Sequence, residues 1–192
     1  KVKPGNSKYV DVNKDGVYND ADQGIIGCGQ PTFNWGWNNT FNYKNFDFSF
    51  FVVGFHGFDI YNATHQMGYN LIKSQQMAGV TPMRELLNRW TPTNTNTDIP
   101  GFVKGGTENK DFFSTRFVEN GSFIKMKSIT LGYTLPEATC RSLGINNLRV
   151  YASVQNPFHI TKYSGLDPEA TMGSPLVQGV DWGAYPNSRN YL

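Results

Sequence analysis

The sequence lacks any long apolar segment, and its longest uninterrupted apolar run is Phe50–Val53. A transmembrane helix needs about 20 predominantly apolar residues, so no helical span can be drawn. The mean hydropathy of −0.45 is negative. That value does not exclude a membrane protein, because a transmembrane β-strand places only alternate residues on lipid.

The sequence also has no large excess of either charge, and it contains few cysteines and histidines. The formal net charge is +2 and no basic stripe is present, so nothing indicates nucleic-acid binding. Cys28 and Cys140 match no metal or redox spacing. Their number allows a disulfide, but the topology inferred below places them at opposite ends of the strands. The three histidines lack catalytic or metal spacing and no nucleophile motif occurs, so we expect no enzyme activity.

The sequence does contain a long alternation of period two between Phe33 and Gly54. This pattern, interrupted at Lys44–Asn45, predicts a β-hairpin with one apolar face. Its arms have about ten residues, which exceeds an ordinary strand of about 5–6 and fits a bilayer-crossing strand of about 9–11. The residues on the predicted apolar face are Phe33, Trp35, Trp37, Phe41, Tyr43, Phe46, Phe48, Phe50 and Val52.

Further strands are predicted at 124–135 and 148–155, and the opening of a fifth at 189–192. Lys125 and Lys127 share the apolar register of the third strand, and we expect them to reach lipid headgroups. The connections alternate short and long, as in outer-membrane barrels. The short ones are expected to face the periplasm. The long ones, 55–122 with a short helix and 156–188, are expected to be extracellular.

The helix within 55–122 is predicted to begin at Thr81, with Thr81 as N-cap and Pro82 at the first helical position. Pro92 is expected to end it. Its predicted apolar face consists of Met83, Leu86, Leu87 and Trp90.

Residues 8–29 contain a pattern typical of a calcium-binding loop. Oxygen-bearing side chains recur at the spacing of an EF-hand loop, and Gly16 occupies the position that needs a sharp turn. Long helices do not flank the loop, so we expect a structural ion and not a sensor. The other interpretation is an Asx-rich turn that binds no ion. The predicted ligands are Asp11, Asn13, Asp15, the carbonyl of Val17, Asn19 and Asp22.

Two weaker interpretations concern sugars. Asp167, Glu169 and Asp181 are candidates for the paired carboxylates of a glycosidase, but solvated loop charges are the preferred interpretation. The aromatic residues Phe33, Trp35 and Trp37 are candidates for a sugar-stacking platform. A girdle at the lipid interface explains them better, given the length of the strand and its alternation. No substrate-binding residues are assigned.

Several short sequence segments, in order along the chain, resemble segments in the C-terminal part of SusC/RagA-type TonB-dependent outer-membrane transporters. The resemblance implies an all-β fold, namely antiparallel strands of a plugged transmembrane β-barrel with about 22 strands. It also implies a Gram-negative outer membrane, a SusD-like lipoprotein over the cell-surface loops, TonB acting on an N-terminal plug, and oligosaccharide or peptide cargo. The matching segments are Lys8–Gly16, Ile26–Gly27, Pro31–Phe33, Asn88–Pro92, Asn96–Pro100, Arg116–Phe123, Lys127–Tyr133, Leu148–Tyr151, Gln155–Asn156, Tyr163–Pro168, Gly183–Pro186 and Arg189.

One departure from the family pattern is that the sequence stops at Leu192, before a complete last strand. Four strands and part of a fifth cannot close a barrel, so we expect 1–192 to be an incomplete C-terminal segment of a longer chain. The alternative from another class is a soluble β-sandwich that binds carbohydrate and holds a structural calcium. A sandwich would bury Trp35, Phe48 and Leu131 in a core.

Overall fold

A computed structural model describes residues 3–69, 82–101, 114–172 and 177–192. The chain forms two compact units. The first comprises Lys1–Gly27, Tyr61–Val118 and Val180–Gly183, and the second comprises Cys28–Ile60, Glu119–Gly179 and Ala184–Leu192. The strands are β1 Phe33–Tyr43, β2 Phe46–His56, β3 Asp59–Asn62, β4 Val118–Asn120, β5 Phe123–Thr134, β6 Arg149–Thr161, β7 Val180–Asp181 and β8 Asn190–Tyr191. The α-helices are α1 Ala63–Tyr69 and α2 Glu137–Ser142.

The second unit is built on an antiparallel sheet with the strand order β1-β2-β5-β6-β8. Its four long strands contain 11, 11, 12 and 13 residues. The predicted hairpin and the next two strands are therefore confirmed as strands. The fourth strand extends to Thr161, beyond the predicted end, because Asn156 adopts a positive φ of 50° and lets pairing resume. Among the described residues this sheet is open at β1 and β8.

The two faces of this sheet differ sharply in chemistry. The pairing register places Trp37 opposite Val52, Phe41 opposite Phe48, and Phe48 opposite Leu131, all on what we call the aromatic face. Trp37 and Leu131 remain 53% and 50% exposed. In the part of the chain that the structure describes, no second layer covers this face. The buried core that a β-sandwich would need is therefore not formed by these residues.

A β-bulge in β5 changes the expected direction of one lysine. Phe51 pairs with Ser128 and Val52 pairs with Met126, so Lys127 is an extra residue without a partner on β2. An extra residue reverses the alternation on its far side. The prediction that Lys125 shares the apolar register was therefore wrong, since Lys125 lies on the opposite face and is 2% exposed.

A second, small sheet has the strand order β4-β3-β7, with β3 and β7 parallel. The sequence did not predict it, because strands of four, three and two residues are too short to show a period of two. Helix α1 follows β3 directly, and the Asn62 side chain accepts a hydrogen bond from the His65 N–H at 2.8 Å. Tyr61, Ala63 and Phe117 form the buried core of the first unit.

The helix predicted from Thr81 differs from the structure. Thr81 lies outside the described residues, and Arg84–Asn88 form a 3-10 helix with no side-chain cap. Its hydrogen bonds run from Leu86 to Met83 and from Arg89 to Leu86. Leu86 is buried but Leu87 is 78% exposed, so the predicted apolar face is not buried as a whole.

Two further expectations concern cysteines and helical spans. Cys28 and Cys140 are both free, the first exposed and the second buried. The short connection between the third and fourth long strands contains α2. No helix within the described ranges is long and apolar enough to cross a membrane.

Candidate functional site

The aromatic face of β1 and β2 is built from paired rings. The Trp37 and Phe50 rings meet edge to face with centroids 5.1 Å apart, and Phe41 stacks on Phe48 at 6.3 Å. A Cβ on Gly54 would lie 2.3 Å from the Trp35 indole. Gly54 therefore lets this indole lie flat across the neighbouring strand, as aromatic side chains do over glycine in sheets.

The opposite face of the same sheet, the polar face, carries mostly Asn, Ser, Thr and charged side chains, together with a few apolar and aromatic ones. The Thr130 and Ser153 hydroxyls are 2.8 Å apart. Near the other end of these strands Arg149 donates through Nε to Asp47 at 3.0 Å. This ion pair passes over Gly132, where a Cβ would lie 2.4 Å from the Asp47 carboxylate. These polar groups are satisfied by one another, and they suit contact with water or with polar groups of the protein.

A buried ionic cluster lies on the polar face beside the bulge. Lys125 Nζ is 2.8 Å from Asp167 Oδ2 and 2.7 Å from Glu169 Oε2. Lys127 also pairs with Glu169. Asn187 donates from its side chain to Glu169 at 2.8 Å and from its backbone to Asp167 at 3.1 Å. We call Lys125, Lys127, Asp167, Glu169 and Asn187 the lysine cluster.

The environment of Asp167 and Glu169 disfavours a glycosidase role. Burial would raise the pKa of each carboxyl, but hydrogen bonds from Lys125 to both, and from Lys127 to Glu169, outweigh burial, so each pKa lies below its ordinary value. A glycosidase general acid needs a raised pKa. Asp181, the third candidate, belongs to the other unit and is itself buried.

Aromatic packing joins the same loop to one end of the polar face. Tyr163 is 5% exposed and lies in a core cluster with Phe58, Ile60 and Phe123. Phe55 packs against this cluster and its ring stacks on that of Phe123, with centroids 5.1 Å apart. The sequence did not indicate this site, because the bulge that redirects Lys125 has no local sequence signature.

The predicted calcium loop lies in the first unit and folds back on itself through its carboxylates. Asp11 accepts the Gly16 N–H at 2.8 Å and the Asp15 N–H at 3.2 Å. Asp15 accepts the Val17 N–H at 2.7 Å, and the Asn13 side chain accepts the Asp15 N–H at 3.0 Å. Successive side-chain oxygens therefore hold the turn, and each has a further lone pair available.

Asp22 closes the loop from its far end. Its two oxygens accept the Val12 N–H at 2.8 Å and the Asn19 N–H at 2.9 Å. The bond from Asn19 is the main reason that the pKa of Asp22 lies below its ordinary value, although burial acts in the opposite direction. Asn19 in turn caps a 3-10 turn at Asp20–Asp22. Asp22, the last predicted ligand, thus binds the backbone next to Asp11, the first predicted ligand.

The donor set of the loop suits calcium, which prefers carboxylate, amide and carbonyl oxygens. In the described ranges, no three His, Cys, Asp or Glu side chains are gathered as a metal centre. The predicted set relies on Asn13, Asn19 and the Val17 carbonyl besides its carboxylates, and its carboxylates accept backbone N–H groups. Calcium binding at this loop stays a prediction.

Comparison with known proteins places the chain among large receptors. No protein-family model matches the sequence. The chain is 36% identical to the TonB-dependent receptor P3 of Formosa agariphila over 98% of this chain and 18% of that protein. It is 31% identical to the TonB-dependent receptor SusC of Bacteroides thetaiotaomicron over 99% of this chain and 17% of that protein. The chain spans less than a fifth of the length of these curated relatives.

Solved structures agree with the sequence comparison. The fold matches the RagAB peptide transporter with a TM-score of 0.70 and 28% identity over 85% of this chain and 16% of that one. It also matches the RagAB peptide importer in the closed-closed state with a TM-score of 0.73 and 26% identity, over 95% of this chain and 19% of that one. These relatives are named as receptors, transporters and importers.

Proposed function

We infer the function of this chain from its family, because it belongs to the SusC/RagA group of TonB-dependent receptors and forms one segment of such a protein. We propose that the intact protein is an outer-membrane importer and that the five-stranded sheet is part of its barrel wall. One observation carries this proposal: the four long strands of 11 to 13 residues combine an exposed aromatic face with a polar face. Strands of about 9–11 residues span a bilayer.

The chemistry of the two faces indicates which side of the barrel wall contacts lipid. The aromatic face meets lipid and the polar face meets the interior of the barrel, since lipid offers no partner for hydrogen bonds. The open edges β1 and β8 pair with further strands of the same protein, because an unpaired edge in lipid leaves backbone groups unsatisfied. We also propose that the barrel of the intact protein has about 22 strands and contains a plug.

We place the long connections on the cell surface of a Gram-negative bacterium. There, 55–122 and 156–188 contact a SusD-like lipoprotein and the cargo, an oligosaccharide or a peptide. The RagAB structures are named for a peptide transporter, and SusC is named a TonB-dependent receptor. TonB supplies the energy through a plug outside this sequence.

We further propose that the loop at 8–29 binds a structural calcium. Asp11, Asn13, Asp15, Asn19 and Asp22 would contribute side-chain oxygens, and Val17 its carbonyl. The hydrogen-bonded turns of this loop support the proposal. The ion would stiffen an outer connection and perform no chemistry.

The lipid assignment is tested by spin labels at two adjacent residues of β6. Ala152 pairs with Leu131 on the aromatic face and Ser153 pairs with Thr130 on the polar face. In the intact receptor, in lipid and with Cys28→Ser, a label at Ala152→Cys should be relaxed by oxygen, which concentrates in lipid. A label at Ser153→Cys should be relaxed by a water-soluble nickel complex. Equal nickel accessibility at both positions would refute the proposal.

A further inference from the structure

The lysine cluster contains a charged side chain, that of Lys125, on the face opposite to the one that the period of two in the sequence assigns. Lys125 is 2% exposed, and Asp167 beside it is 3% exposed. A buried ammonium group without a partner is strongly unfavourable, and so is a buried carboxylate. Each group therefore depends on the other for its burial. The strand β5 and the loop after β6 are held together by charges that neither can leave unpaired.

The loop contributes its carboxylates from a rigid local structure. Pro168 begins a 3-10 helix that ends at Met172, and the Thr171 hydroxyl donates to the Pro168 carbonyl at 2.7 Å. The Glu169 N–H donates to Asp167 Oδ1 at 3.1 Å. These bonds fix the spacing between Asp167 and Glu169, so both carboxylates reach Lys125 together.

Two further contacts hold the loop upstream of the carboxylates. Tyr163 is buried against Phe58 and Phe123. Glu119 accepts both the backbone N–H of Ser164 at 2.8 Å and its hydroxyl at 2.7 Å. The loop is thus attached at three consecutive places, by a ring, by a carboxylate at Ser164 and by the lysine cluster.

We propose that Tyr163–Thr171, which we call the anchored segment, is the part of the connection 156–188 that is fixed to the inner side of the barrel wall, in contrast to the rest of that connection, which we assigned to the cell surface. It lies against the polar face at the end of the sheet that contains Phe55 and Phe123. Lys125 and Lys127 are positioning residues that hold it. The statement that this side is the inner one rests on the proposed function, whereas the attachment itself does not.

The attachment is tested by hydrogen exchange with mass spectrometry on the intact receptor in detergent. The substitution Lys125→Met keeps most of the side-chain volume and leaves Asp167 without its buried partner. Exchange in the anchored segment and at Asn187 should become at least about tenfold faster, because such unpaired groups open locally. Exchange in β1 and β2 should stay as in the unmodified receptor.

A matched control removes the other ion pair of the same face. Arg149→Met breaks the contact with Asp47, which lies at the far end of the strands, and should leave exchange in the anchored segment unchanged. If Lys125→Met does not fold, Glu169→Gln is the decisive variant, since it removes a charge that is only 19% exposed and keeps the pair of Lys125 with Asp167. It should speed exchange of the anchored segment at least about threefold.

The outcomes separate the two proposals. Unchanged exchange of the anchored segment in Lys125→Met, or in Glu169→Gln when only that variant folds, overturns the attachment and leaves the barrel proposal standing. Faster exchange together with the expected accessibility at Ala152 and Ser153 supports the fixed inner position of the anchored segment. Faster exchange with equal nickel accessibility at both labels refutes the inner position and the barrel assignment, while the attachment itself remains.

Discussion

Replacing Gly16 by alanine should weaken calcium binding to the loop at 8–29 by about five- to thirtyfold. Gly16 has a φ of +83°, and nothing lies within 4 Å of the position that a Cβ would take. The new methyl group therefore meets no steric obstacle outside its own backbone. The cost comes from holding a residue with a Cβ in the left-handed region, about 1–2 kcal/mol, which corresponds to the stated factor in an equilibrium constant.

Lys14 offers a matched control in the same loop. It also has a left-handed φ, of 63°, although it is not a glycine. Lys14→Gly removes a cost that the loop already bears, so calcium affinity should stay the same or rise by up to about fivefold. The two substitutions therefore act in opposite directions on one loop, which a nonspecific loss of structure would not produce.

The assay is calorimetric titration of the intact receptor with calcium after removal of bound ions. The double substitution Asp11→Ala with Asp15→Ala should abolish the signal, because it removes two charged ligands. A Gly16→Ala protein with unchanged affinity would refute the argument from backbone conformation. An unmodified receptor that takes up no calcium, or a double variant with an unchanged titration, would refute the site itself.

Two further predictions concern the second unit. Gly121→Ala would place a Cβ 2.4 Å from the Phe58 ring and 2.8 Å from Ile60, both fully buried, so we expect local destabilisation of about 1–3 kcal/mol, measured as faster hydrogen exchange in the peptide that covers these two residues. Asp167 and Glu169 have lowered pKa values in the folded protein, so their ionised forms stabilise the folded state. This stabilisation is complete above their ordinary pKa values of about 4, and it is lost as the pH falls through the pKa values of the folded state. Cleavage of the anchored segment by an acid protease should therefore increase, relative to an unstructured control peptide, as the pH is lowered below about 4. Cleavage that does not increase on acidification would contradict the ionic attachment.

The long strands were readable from the sequence because their signal is local and repeated. Each repeat of the period of two between Phe33 and Gly54 adds independent evidence for a strand with one apolar face. A connection of two residues between two such strands predicts an antiparallel hairpin. The calcium-type spacing is equally local, since its ligands fall within twelve residues. The small sheet of β3, β4 and β7 was not readable, because its strands meet only after residues far apart in the chain are brought together.

By itself, the sequence determined the long strands, the chemistry of their two faces and the resemblance to a receptor family, since all three depend on the order of neighbouring residues. Only the tertiary structure decided which face Lys125 occupies. The bulge at Lys127 is set by pairing with β2, and the counter-charges come from Asp167 and Glu169, 42 residues away from Lys125 and Lys127 along the chain. A lysine that the alternation assigns to the aromatic face is therefore held on the polar face by a loop, because burying its charge requires partners that no local pattern reveals.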